Sequence, residues 1–62
     1  MWSDFHETVN GLPDEQKEVV NLLFYEGMSQ EEAATVLGVS LRTLKRRWQE
    51  AKLALQEELS GR

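Results

Sequence analysis

An all-α fold of four helices is what this 62-residue sequence predicts. Three observations predict it. Apolar residues recur at helical spacing, and no run alternates apolar with polar between the turn residues of a hairpin. Ser, Pro and Gly stand where helices begin and end. The chain has no cysteine, so disulfides are excluded and its stability must come from packed helices, whose core at this size supplies only ~3–5 kcal/mol.

Ser3 can cap a first helix that carries Phe5, Val9 and Leu12 on one face, with Gly11 at its C-terminal end. Pro13 suits the first position of a second helix, where its missing N–H has no partner in any case. Asp14 and Glu15 complement the positive end of the helix dipole there. Val19, Val20, Leu23 and Phe24 continue at helical spacing, and Gly27 supplies a left-handed exit, so this helix is expected from about Pro13 to Glu26.

Ser29 followed by Glu32 is a capping box for a third helix, in which each side chain satisfies a free backbone N–H. Ala33, Ala34, Val36 and Leu37 make a narrow apolar face built largely from small residues, and Gly38 ends it. Only Val39 and Ser40 precede the next helical pattern, with Ser40 as its cap. Two helices joined by so short a Gly-containing turn form a helix-turn-helix, here spanning roughly Ser29 to Gln56. The fourth helix, about Leu41 to Leu59, places Leu41, Leu44, Trp48, Ala51 and Leu55 on one stripe. Gly61 and Arg62 read as a frayed end. No repeat, low-complexity stretch or linker interrupts the helices, so residues 1–62 are expected to be a single domain without a wing.

Several function classes are disfavoured. Ligand pockets typically occupy ~300–1,000 Å³, which a core this small can scarcely enclose, and no catalytic constellation is present. His6 reads as a surface residue, and Glu31 with Glu32 reads as capping and dipole compensation rather than acid/base chemistry. A zinc site would have only His6 and scattered carboxylates to draw on. No metal or cofactor is therefore expected, and the chain is not expected to be an enzyme. No apolar run approaches the ~18 residues of a membrane span, so a soluble cytoplasmic protein with no membrane partner is expected.

Seven Lys and Arg against eleven Asp and Glu give a net charge of −4, which taken alone argues against nucleic acid. The distribution of that charge argues the other way. Met1 to Ser40 holds one base, Lys17, against eight acids, whereas Leu41 to Lys52 holds five bases (Arg42, Lys45, Arg46, Arg47, Lys52) and one acid, Glu50. A basic stripe on one helix is the electrostatic footprint of a nucleic-acid binder.

At about 100° per residue, the face of the fourth helix opposite the apolar stripe collects Arg42, Arg46, Gln49, Glu50 and Leu53, flanked by Thr43, Lys45 and Arg47. Arg42 and Arg46 can contact guanine in bidentate fashion, Gln49 can pair with adenine, and Glu50 can accept from cytosine. An ordinary solvated basic face accounts for the charge equally well. The capped turn, the Gly at the bend and the opposed apolar stripe favour DNA. Trp48, between Leu44 and Ala51, reads as a core anchor rather than a base-stacking residue. Arg47 lies near the edge of the stripe, where it can reach a phosphate or pair with an acid such as Glu31 or Glu32. Trp2, Phe5, Phe24 and Tyr25 are core candidates, and an exposed one could anchor a protein partner.

The segment LPDEQKEVVNLLFYEGMSQEEAATVLGVSLRTLKRRWQEAKLAL resembles region 4 of bacterial sigma-70 family factors, especially the extracytoplasmic function (ECF) group. The resemblance runs from Leu12 to about Leu55. It is carried by Leu12-Pro13 with Gln16 and Val19, Glu26-Gly27-Met28-Ser29, Glu31-Glu32-Ala33-Ala34, Leu37-Gly38-Val39-Ser40, and Thr43 to Arg47 followed by Ala51-Lys52. It implies a domain that binds the promoter minus-35 element, on double-stranded DNA, through its last helix. A second surface would contact the β flap of RNA polymerase core, and ECF domains of this kind are often also held by an anti-sigma factor. The family's base-reading positions match Arg46, Gln49 and Glu50. Its phosphate contacts are expected from Thr43, Lys45, Arg47 and the start of the third helix at Ser29.

Two departures from the family pattern stand out. Glu50 stands where members often carry Arg, so a guanine contact is replaced by acceptance from cytosine or by none, while Trp48 replaces an aliphatic residue. The region that binds and melts the minus-10 element is absent, so the chain is expected to be a C-terminal domain of a longer factor, acting as a monomer. A protein-interaction module is one rival, favoured by the acidic first forty residues. A stand-alone transcriptional regulator is another, and it would call for a dimer surface.

Overall fold

The computed structural model describes residues 2–60, with side chains described for residues 5–58. Four α-helices in chain order make up the domain, and no strand occurs among the described residues. The first, α1, spans Trp2–Asn10 and so begins before Ser3, the expected cap. The side chains of Trp2 and Ser3, along with Met1, Gly61 and Arg62, lie outside the described residues. Gly11 donates its N–H to both Glu7 O and Thr8 O at 3.1 Å, and the chain then turns through Leu12.

Pro13 precedes the second helix, α2 (Asp14–Val20), instead of occupying its first position. Its ψ of 151° is extended, while its carbonyl already accepts the first helical bond from Lys17 N–H at 2.9 Å. A proline's fixed φ serves this boundary position as well as the first turn. The expected continuous α-helix to Glu26 is also corrected. After Val20 the chain widens into a π-helical turn, Asn21–Tyr25, closed by Glu26 N–H to Asn21 O at 2.9 Å. Gly27, at φ 72°, makes the exit, and Met28 N–H returns to Leu22 O at 3.0 Å.

That wider turn has a packing consequence. Leu22 and Leu23 both reach the core, while Phe24 and Tyr25 swing toward α1 and meet Phe5 and His6. Phe24, expected on the buried stripe, is 49 % exposed and Tyr25 40 %. A strict 3.6-residue period carries Phe24 inward, and the extra residue in the π turn carries it past the core edge.

The third helix, α3 (Gln30–Leu37), is bounded as its sequence requires. Ser29 Oγ accepts from Glu32 N–H at 3.1 Å, and Ser29 N–H donates to Glu32 Oε1 at 2.9 Å. At the other end Gly38 adopts φ 69°, its N–H bonding Thr35 O while Val39 N–H bonds Ala34 O. This paired closure satisfies carbonyls that a helix end otherwise leaves bare. Val36, expected on the apolar face, is instead 59 % exposed. At about 100° per residue it sits well around the helix from Ala34, and α3 meets the core through Ala33, Ala34 and Leu37.

The fourth helix, α4, runs Leu41–Ser60 and is the long element against which all others pack. Its 20 residues span ~30 Å, most of the 34 Å long dimension of the molecule. Two apolar clusters line it. Val9, Leu12, Val20, Ala51 and Leu55 form one beside Phe5 and Ala54; Val19, Ala33, Ala34 and Leu44 form the other beside Leu22, Leu23, Met28, Leu37 and Val39. Trp48 packs on both, which gives the indole its role as the anchor joining the two halves.

Candidate nucleic-acid interface

Three residues, Gly38 to Ser40, separate α3 from α4. The left-handed Gly38 reverses the chain, and Ser40 then caps α4 by accepting Thr43 N–H at 3.1 Å. The Ser40 hydroxyl donates in turn to Thr43 Oγ1 at 3.0 Å, which leaves the half-buried Thr43 hydroxyl with its own proton to give. A helix begun this rigidly presents its side chains at defined angles. Leu44 and Ala51 face inward with no exposure, and Arg42, Lys45, Arg46, Gln49 and Glu50 all face solvent.

The five bases of this segment divide by their surroundings. Arg42, Lys45 and Arg46 are exposed. Lys52 places its Nζ 5.5 Å from the Trp48 ring centroid, where its charge meets the electron-rich face of the indole. Arg47 turns toward α2: its Nη2 lies 2.7 Å from Glu15 Oε2, and its side chain is only 18 % exposed. The expected acidic partners, Glu31 and Glu32, are therefore not the ones used. Glu32 is already committed to the capping box of α3.

Ser29 sits at the start of α3 beside a shallow groove of about 450 Å³ lined by Ser29, Gln30, Glu31, Leu41 and Lys45. First-turn N–H groups of a helix lack intrahelical acceptors and carry partial positive charge, and Lys45 adds a full one. Glu31 opposes them. The exposed surface thus brings together Arg42, Lys45, Arg46, Gln49 and Glu50 on α4, with Ser29 and Thr43 at its margin and Arg47 turned away.

Sequence reading did not anticipate three features: the π turn, the Glu15–Arg47 pair and a hydrogen bond of 2.7 Å between the Tyr25 hydroxyl and His6 Nδ1. His6, expected on the surface, is half-buried, its ring within 12° of parallel to that of Tyr25. The two side-chain pairs join residues far apart in the chain, for which no local spacing signal exists.

A family model described as "Sigma-70, region 4" matches residues 3–55 of the chain. The chain belongs to that family. No curated protein and no solved structure matches. Sigma-70 region 4 is a non-catalytic, DNA-binding domain family that works with RNA polymerase in promoter binding at transcription initiation. The all-α, four-helix architecture with its helix-turn-helix is the fold of that family. Among the described residues no helix of this sigma region 4 domain is long and apolar enough to cross a membrane.

Proposed function

We propose that this domain reads the minus-35 promoter element in the major groove through α4, as part of an RNA polymerase holoenzyme containing a sigma factor of the ECF type. One observation carries the reading. Arg42, Arg46, Gln49 and Glu50 share an exposed helix face set directly behind a three-residue, capped turn, and the major groove, ~12 Å wide, admits such a helix. Arg42 and Arg46 take guanine, Gln49 takes adenine and Glu50 accepts from cytosine. Lys45, Thr43 and Ser29 hold phosphates and set the register.

A second surface suits the polymerase flap or an anti-sigma factor. Phe24 and Tyr25 present exposed aromatic area beside α1, on acidic ground where DNA is repelled. We further read residues 1–62 as one domain of a longer factor, acting as a monomer on DNA.

The test is a titration of the domain into labelled duplexes recovered from a random-sequence selection, at several salt concentrations, against an Arg42/Lys45/Arg46 triple Ala variant. Selective binding lost in the variant supports the reading, with a log–log salt slope near −0.9 per phosphate neutralised. No enrichment even at low salt overturns the DNA reading and leaves the aromatic surface as the working one. A selected site that is palindromic, bound by a dimer, identifies a stand-alone regulator instead.

A further inference from the structure

We propose that Arg47 is a positioning residue for DNA recognition: its ion pair with Glu15 sets the rotational phase of α4 about its own axis. This rests on the DNA reading above. The contact between α2 and α4 is made by Val19, Val20, Leu44 and Ala51, whose apolar attraction is non-directional, so the angle at which they meet rests on shape alone. The Glu15–Arg47 contact is directional. At 2.7 Å it is a short, charge-assisted bond that ties the first turn of α2 to the second turn of α4, beside Trp48 in the chain.

Its place on the helix separates Arg47 from the base-contacting residues: at about 100° per residue it lies roughly 100° from Arg46 and 140° from Arg42, on the side of Thr43, roughly 40° away. Its guanidinium stays against the protein, 18 % exposed with Nε buried, facing a carboxylate that is 66 % exposed. Its charge is thereby cancelled locally, and the DNA surface is left with Arg42, Lys45 and Arg46.

Arg47→Gln, Glu15→Gln and the reversed pair Glu15→Arg/Arg47→Glu distinguish this role from phosphate binding. Each single change should weaken binding to the selected duplex about two- to fivefold, the range of a partly exposed ion pair, and leave the salt slope unchanged. The reversed pair should regain much of the loss. A slope that drops by about 0.9 in Arg47→Gln, or rises by as much in Glu15→Gln, makes Arg47 a phosphate ligand and overturns the proposal. Unchanged affinity in both single variants overturns it as well. A double-mutant cycle on thermal melting supplies a readout without DNA: non-additive losses support the tie, and strictly additive ones overturn it. Absence of selective binding by the unaltered chain would be a failure of the DNA reading, and the melting cycle would still decide the tie.

Discussion

The two halves of this domain solve the same packing problem in opposite ways. The helix-turn-helix half buries small residues, Ala33 and Ala34, against Val19 and Leu44, all at 5 % exposure or less, and closes both ends of α3 with backbone and side-chain caps. The half built on α1 buries the aliphatic Val9, Leu12, Val20 and Leu55, and the aromatic rings at its edge leave Phe24 and Tyr25 40–49 % exposed. Small residues let α3 approach α4 closely. Aromatic area left in water is instead suited to a partner, since aromatic side chains are enriched at protein interfaces. The domain thus sets an exposed basic helix face apart from an exposed aromatic one.

This contrast can be broken at its firmest point. Leu44→Ala removes a fully buried side chain from the helix-turn-helix cluster and should cost about 2–5 kcal/mol. That approaches the whole stability of a chain this small, so circular dichroism should show a largely unfolded protein at 25 °C. A cooperative melt close to the parent's would show that α4 is not held by this cluster.

The DNA face can be sharpened without unfolding it. Arg46→Ala should cost about 1–3 kcal/mol on the preferred duplex and relax selectivity at one base position. Lys45→Ala should weaken all duplexes alike and reduce the salt slope by about one. Equal losses on every sequence from both variants would remove the distinction drawn between base and phosphate contacts.

Two changes probe how far the caps stiffen α3. Gly38 adopts φ 69°, and an added Cβ would meet nothing within 4 Å, so Gly38→Ala carries a purely conformational cost of about 1–2 kcal/mol. Ser29→Ala removes half of the capping box and should cost about 1 kcal/mol. Both are read as lowered melting temperatures, and unchanged values would mean that packing alone sets the ends of α3. The smallest effect is expected on the aromatic face. Phe24→Ser should shift stability by less than about 1 kcal/mol, because the ring is half in solvent, while weakening capture by RNA polymerase core in a pull-down. Full retention of that capture, or a large loss of stability, would contradict a docking role.

Much of this molecule is legible in its residues alone. The capping box at Ser29 and Glu32, the left-handed Gly27 and Gly38, the Ser40 cap and Leu44, Trp48, Ala51 and Leu55 of the expected stripe stand where spacing places them, while Leu41 joins neither apolar cluster and lines the groove beside Ser29. These features act within a few residues of chain, so local stereochemistry and helical periodicity suffice to determine them. The exposed positions of Arg42, Arg46, Gln49 and Glu50 follow from the same periodicity, because a helix that buries one stripe must display the opposite one.

Tertiary structure decided the rest. Whether Phe24 is buried depends on a single extra residue in the turn Asn21–Tyr25, whose energy is set by what Leu22, Leu23, Phe5 and His6 offer as neighbours. Pro13 suits two adjacent positions equally, and the chain takes the one just before α2, with ψ 151°. The partner of Arg47 is a residue 32 positions earlier, brought close only when α2 lies against α4, so no pattern along the chain could distinguish Glu15 from Glu31 or Glu32. By itself the sequence determined four helices, both ends of α3 and the family, because those depend on local geometry and on the order of residues. Which charges of α4 face solvent, and which aromatic rings stay partly exposed, was decided by the fold, because both depend on contacts between helices.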